Sequence, residues 1–111
     1  MTKLIVKLKK FVDDREWDQF HNPKDLSISI SIEVNELLEI FQWKSENTPI
    51  NKNDIEKIKN EVADIYIYLL LLCEKLNIDL EKETANKISR NEKRFPIETS
   101  LGIAKTTDMD K

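Results

Sequence analysis

Four pairs of acidic residues stand three positions apart in this 111-residue chain: Asp13/Glu16, Glu33/Glu36, Glu36/Glu39 and Glu61/Asp64. On a helix that spacing puts two carboxylates on one face, with Cβ atoms about 5–6 Å apart. Two packed helices can therefore direct Glu33, Glu36, Glu61 and Asp64 at a common point. Four like charges at one point repel, and each resists ionisation unless a cation joins them. Carboxylate oxygens without His or Cys are the ligands that suit Mg2+ or Mn2+. The surroundings separate the pairs. Asp13/Glu16 lies in DDREWD, polar throughout, and reads as a solvated face. Pairs 33/36 and 61/64 are embedded among Ile, Val, Leu and Ala, where a lone buried carboxylate is costly. Glu39 points away from the main apolar arc. On pattern alone, a shared cation and separate solvated acids both stay open. A di-iron carboxylate bundle needs Glu-x-x-His pairs. His21, the only histidine, belongs to no such motif.

These acids need helices to hold them. The stretch SISISIEVNE, residues 27–36, starts with the alternation of a β-strand. Past Val34 the alternation fails, because Leu37 and Leu38 are adjacent. At about 100° per residue, Leu26, Leu37, Ile30, Phe41 and Val34 fall in one arc. The spacing predicts a helix from Asp25 to Trp43, with Asn22 or Asp25 as cap and Pro23 in the first turn. On that wheel Glu33 lies inside the apolar arc, between Ile40 and Leu26, with Glu36 next to it. The serines read as small residues that let a neighbour approach. A first helix is expected over Lys3 to Trp17. A third is expected from a capping box at Asn53 and Glu56 to about Leu76, with Ile58, Val62, Ile65, Leu69, Leu72 and Leu76 as its stripe. Ile67, Leu70 and Leu71 lie on its other faces, which suggests cover from another subunit. A fourth helix is expected from Asp79 to about Arg94, ended by Phe95-Pro96. Residues 97–111 read as a mobile tail.

Composition narrows the class. There are 21 acids against 18 bases, a net charge of −3, which argues against a general nucleic-acid binder. Gly102 is the only glycine, which excludes a phosphate-cradling glycine loop and argues against a turn-rich β fold. Charged residues make up 35% of the chain and sit beside Leu and Ile, as in amphipathic helices. With Cys73 the only cysteine, no disulfide forms within one chain, and it reads as a small core residue. MTKLIVKLKK is basic but lacks the apolar core of a signal peptide, and the longest apolar run, Ile65 to Cys73, is too short to span a bilayer. The expectation is one all-α domain, cytoplasmic, with no membrane or nucleic-acid partner. A chain this short buries its core with little margin, so self-association is expected.

The motifs together resemble the MazG-like nucleoside triphosphate pyrophosphohydrolases of the all-α NTP pyrophosphatase superfamily, in particular the short dCTP pyrophosphatase-type members. Glu33-Val-Asn-Glu36 and Glu61-Val-Ala-Asp64 match that family's E-x-x-E and E-x-x-D. The blocks Trp17-Asp-Gln-Phe-His21, Glu36-Leu-Leu-Glu-Ile-Phe-Gln-Trp43, Asp64-Ile-Tyr-Ile-Tyr68 and Lys87-Ile-Ser-Arg-Asn91-Glu-Lys-Arg94-Phe-Pro96 follow in the same order. The resemblance covers about residues 11–96, within a helical domain drawn at 1–96. It implies a four-helix core that assembles as a homodimer or homotetramer. It also implies Mg2+-dependent cleavage between the α- and β-phosphates of a dCTP-like (d)NTP, with Mn2+ as an alternative metal. By that analogy Glu33, Glu36, Glu61 and Asp64 hold the metal and carry catalysis. Lys87, Asn91 and Arg94 contact the phosphates, while Trp17, His21, Trp43 and Tyr68 line the base pocket. Phe20 reads as a core aromatic. Asn35 and the serines after Asp25 depart from the family pattern but remove no ligand. The competing class is a catalytically silent oligomerisation or nucleotide-binding module on the same scaffold.

Overall fold

Asn22 and Pro23 decide how SISISI folds. In the computed structural model, which describes residues 2–103, the Asn22 side chain accepts a hydrogen bond from the Asp25 N–H at 2.9 Å and donates to the Asp25 carboxylate at 2.7 Å. Pro23 occupies the first helical turn, where its missing N–H costs nothing. Helix α2 then runs Pro23–Phe41 without interruption. Ser27 Oγ donates back to the Pro23 carbonyl at 2.7 Å, so one of the serines is absorbed by the helix itself. The other long elements are α1, Thr2–Asp14, α3, Lys52–Leu76, and α4, Leu80–Arg94. A 3-10 turn, Asp18–Phe20, precedes α2, and a short helix α5, Ile97–Ser100, follows α4. The fold is all-α, and no strand occurs among the described residues.

The helix ends correct three expected boundaries. Helix α1 stops at Asp14 rather than Trp17, because Glu16 takes a left-handed backbone at φ 53°. That reversal lets the Trp17 N–H reach the Val12 carbonyl at 3.1 Å. Helix α2 stops at Phe41, two residues short of Trp43. Helix α3 is capped by Asn51, not Asn53: the Asn51 side chain accepts from the Asp54 N–H at 2.8 Å. The earlier cap puts Asp54 in the first turn, beside the exposed N–H groups of the helix end and within 3.3 Å of Lys44. Asn77, left-handed at φ 54°, ends α3.

The chain divides into two compact units, Met1–Asn77 and Ile78–Lys111. In the first, α2 and α3 form the main packed pair. Leu26 clusters with Leu71, Glu33 approaches Glu61 and Asp64, and Lys44 meets Asp54. These contacts run in opposite chain directions, so the two helices are antiparallel. Val12 of α1 closes the cluster of Leu26 and Leu71, with Leu8, Tyr68 and Leu72 at its edge. Leu70 is the other fully buried apolar side chain. Helix α3 therefore buries Leu70 and Leu71, which lay off the expected stripe, while Val62 and Leu76 are half exposed. Cys73 is half-buried, and that burial pushes its thiol pKa up.

In the second unit, the Asp79 side chain caps α4 by accepting from the Lys82 N–H at 3.1 Å. Glu81 and Glu83 lie in its first turn and Lys93 and Arg94 in its last, each sign at the favourable end of the helix dipole. Phe95 ends α4, its N–H bonded to the Asn91 carbonyl at 2.8 Å. Helix α5 occupies the start of the segment expected to be a tail, whose residues 104–111 lie outside the described part.

Leu26, 1% exposed, is the side chain on which the three helices of the first unit meet. Leu26→Ala is expected to lower unfolding free energy by about 2–5 kcal/mol in a denaturant titration. Val6→Ala, at a position 62% exposed, is expected to change it by no more than about 0.5 kcal/mol. Equal effects at the two positions would show that the core is wrongly placed.

Candidate metal centre

One turn of α2 and one turn of α3 face each other with acids. Glu33 comes from α2, and Glu61 and Asp64 come from α3, three residues apart and so on one face. One carboxylate oxygen from each of these three residues lies within 4.8 Å of the others. All three side chains are half-buried. Glu33 Oε2 and Glu61 Oε2 are shielded from solvent and receive no hydrogen bond. A buried acceptor without a donor is rare in a folded protein and calls for a partner.

The electrostatics point the same way. The Glu33 carboxyl has its pKa raised from 4.5 to about 7, first by burial and then by the adjoining carboxyls of Glu61, Glu36 and Asp64. Each of these causes penalises the ionised form. Asp18 is the opposite case: a 2.7 Å hydrogen bond from Lys75 lowers its pKa. Among the described residues, no cation offsets the causes that raise the Glu33 pKa. A divalent ion placed among them would satisfy the unpartnered oxygens and offset the repulsion. The all-oxygen donor set fits Mg2+ or Mn2+.

Glu36 stands apart from the convergent three. It is exposed, and it borders the group through Glu33. Glu39 is exposed as well. Of the expected base-pocket residues, Tyr68 is half-buried at the edge of the core cluster. Trp17 is 45% exposed and packs edge-on against Phe11, with ring centroids 5.6 Å apart. His21 is half-buried, and its Nδ1 is shielded from solvent and unpartnered. Trp43 is 90% exposed in the turn after α2. Phe20, expected in the core, is 64% exposed. It lies at the end of the 3-10 turn Asp18–Phe20, whose first residue is paired with Lys75. On α4, Lys87 and Arg94 are exposed, while Asn91 is half-buried with a shielded, unpartnered Oδ1.

Two ion pairs escaped the sequence reading. Lys75–Asp18 ties the turn bearing Trp17 and His21 to the end of α3. Lys44–Asp54 ties the turn bearing Trp43 to the start of α3. The second had a legible signal in Asn51-x-x-Asp54, a cap followed by an acid at the third helical position.

The MazG-like family model matches residues 28–108, a span that contains both acid pairs. Proteins named dCTP pyrophosphatase 1 from Rattus norvegicus and Mus musculus are each 35% identical over 107 residues. Those matches cover 92% of this chain but 63% of each relative, so the chain spans less than two thirds of their length. The Homo sapiens protein of that name is 33% identical over 91 residues, covering 78% of this chain and 54% of the relative. A crystal structure of a pyrophosphatase from Archaeoglobus fulgidus superposes with a TM-score of 0.77 at 39% identity. It covers 86% of this chain and 92% of that one. With the acid pairs inside the matched span and the helices superposing on a solved relative, the chain belongs to the MazG-like family.

Proposed function

We propose that this protein is a nucleoside triphosphate pyrophosphohydrolase that cleaves a dCTP-like (d)NTP between its α- and β-phosphates, releasing the monophosphate and pyrophosphate. The observation that carries the proposal is the convergence of Glu33, Glu61 and Asp64 with two shielded, unpartnered oxygens. In this reading those three residues hold Mg2+, or Mn2+ in its place. Held there, such an ion would supply positive charge to phosphate oxygens and acidity to a water. Glu36, beside Glu33 but outside the convergent three, takes the proton from the attacking water. Lys87, Asn91 and Arg94, at spacings of four and three along α4, bind the phosphates. Trp43 and Trp17 offer flat apolar faces to the base, and Tyr68 and His21 offer polar groups at their edges.

We also propose that the working protein is a homodimer or homotetramer. Only Val12, Leu26, Leu70 and Leu71 are fully buried apolar side chains among the described residues. Ile28 and Ile32, one turn apart on α2, are 48% and 51% exposed, and Leu38 is 64% exposed. An apolar hollow of about 260 Å³ lies between α1 and α3, lined by Leu4, Leu8, Phe11, Ile67 and Leu70 among others. Open apolar surface of this kind is usual at subunit contacts.

A nucleotide panel with Mg2+ tests the activity. The expected products are monophosphate and pyrophosphate from at least one (d)NTP. Glu36→Gln is expected to lower kcat by about 10²–10⁴-fold while Mg2+ affinity is kept. Asp64→Asn is expected to weaken Mg2+ binding itself, as read by calorimetry. No product with any nucleotide would refute the activity, and unchanged turnover in Glu36→Gln would refute its role as the base.

The raised Glu33 pKa sets a pH dependence. Between 4.5 and about 7 the folded protein holds a proton that the unfolded chain has released. Stability from this group is complete below 4.5 and is lost as pH rises through about 7. Without divalent metal, Tm is therefore expected to fall across that window, and Glu33→Gln is expected to flatten the fall. Mg2+ must displace the same proton, so its affinity is expected to weaken by up to about tenfold per pH unit below neutrality. A pH-independent Mg2+ affinity between pH 5.5 and 8 would rule out Glu33 as a ligand.

A further inference from the structure

Asp54 is the one charged side chain among the described residues that is buried, at 7% exposure. Its counter-charge is Lys44 Nζ at 3.3 Å, and its Oδ2 receives no hydrogen bond. Desolvating Asp54 offsets much of the attraction in such a pair, so its net contribution to stability is small. The residue immediately before Lys44 is Trp43, 90% exposed, the least buried of the large apolar side chains among the described residues. An ion pair with one buried partner thus pins the chain beside an indole that makes almost no contact of its own.

The rest of the connection is ordered around the same point. The Lys44 N–H bonds the Phe41 carbonyl at 3.0 Å, and the Gln42 N–H bonds the Glu39 carbonyl at 3.2 Å. Beyond Lys44, the Ser45 N–H donates to Thr48 Oγ1 at 3.1 Å, and the Thr48 N–H returns to the Ser45 carbonyl at 3.1 Å. The backbone of Trp43 is therefore held on both sides although its ring is free. Trp43 follows Glu36 by seven residues, the first five along α2, about 7.5 Å of helical rise, and the last two in the turn beyond it. An indole carried on a held backbone at that reach from Glu36 suits stacking on a base whose phosphates lie among the acids.

We propose that Lys44 and Asp54 are positioning residues: their ion pair holds the turn that presents Trp43, so that the indole stands ready to stack on a nucleobase. The proposal rests on the reading of Trp43 as a base-binding residue. The loss from untethering falls on substrate binding and not on the chemical step, since the pair touches none of the convergent acids.

Two readouts test it. Trp43 is the sole tryptophan once Trp17→Phe is introduced, so the anisotropy of its fluorescence reports its freedom directly. In that background Lys44→Met and Asp54→Asn are expected to lower the anisotropy, and Asp54→Glu to keep it. Kinetics, measured with Trp17 in place, are expected to show KM for the preferred nucleotide raised about tenfold and kcat within about twofold. The double variant Lys44→Met/Asp54→Asn separates position from stability. It leaves no unpaired charge, so it is expected to be at least as stable as Lys44→Met and still show the loosened indole and raised KM. Parental anisotropy and KM in that double variant would overturn the proposal, since the pair would then only close the hairpin. Unchanged anisotropy in both single variants would overturn it too. Should the parent hydrolyse no nucleotide, the pyrophosphohydrolase reading fails, and the anisotropy alone decides whether the pair fixes Trp43.

Discussion

Like charges are brought together in this protein where water cannot fully screen them. Glu33 from α2 meets Glu61 and Asp64 from α3, with one oxygen of each within 4.8 Å of the others, and Oε2 of both glutamates accepts no hydrogen bond. Such an arrangement opposes folding unless another interaction holds the helices together or a cation joins the group. The apolar cluster of Val12, Leu26 and Leu71 supplies the first. It lies two turns along α2 from Glu33 and two turns along α3 from Asp64, so packing at one level fixes the approach of the acids at the next. At the far end the Lys44–Asp54 pair ties the turn after α2 to the start of α3.

The sequence disclosed the helices and the acids because both follow from periodicity. SISISI resembled a strand only while it was considered alone. Leu37 and Leu38, together with Asn22 and Pro23, made the helix legible. Glu33 was placed inside the apolar arc of α2, and it is half-buried there with a pKa pushed up to about 7. Glu36 was grouped with the others on spacing, yet it is exposed at the border of the group. A helical wheel gives the direction of a side chain but not the axis of the neighbouring helix, and that axis decides which of two adjacent acids turns inward. The Asn51 cap in place of Asn53 has a similar origin. Two equivalent spacings competed, and a tertiary contact to Lys44 favoured the earlier one.

The aromatic residues were the least legible. Trp17, Phe20 and Trp43 look alike in a sequence, since each large ring counts as core material. In the structure they are 45%, 64% and 90% exposed. Lys75 to Asp18 and Lys44 to Asp54 tie the turns that carry them to α3, and Trp17 also packs edge-on against Phe11. Long-range pairs of this kind leave no periodic trace. An exposed ring on a held turn is free to meet a ligand, which is why these turns matter to the family reading.

The central claim is that the acid group strains the empty protein and is relieved by a divalent cation. The direct test compares thermal unfolding of the parent with that of Glu33→Gln/Glu61→Gln/Asp64→Asn at pH 8, in chelator and then in Mg2+. The neutralised protein should unfold at a higher temperature than the parent in chelator and gain nothing from Mg2+, while the parent gains. A neutralised protein that unfolds at or below the parent's temperature in chelator, or that still responds to Mg2+, would contradict it.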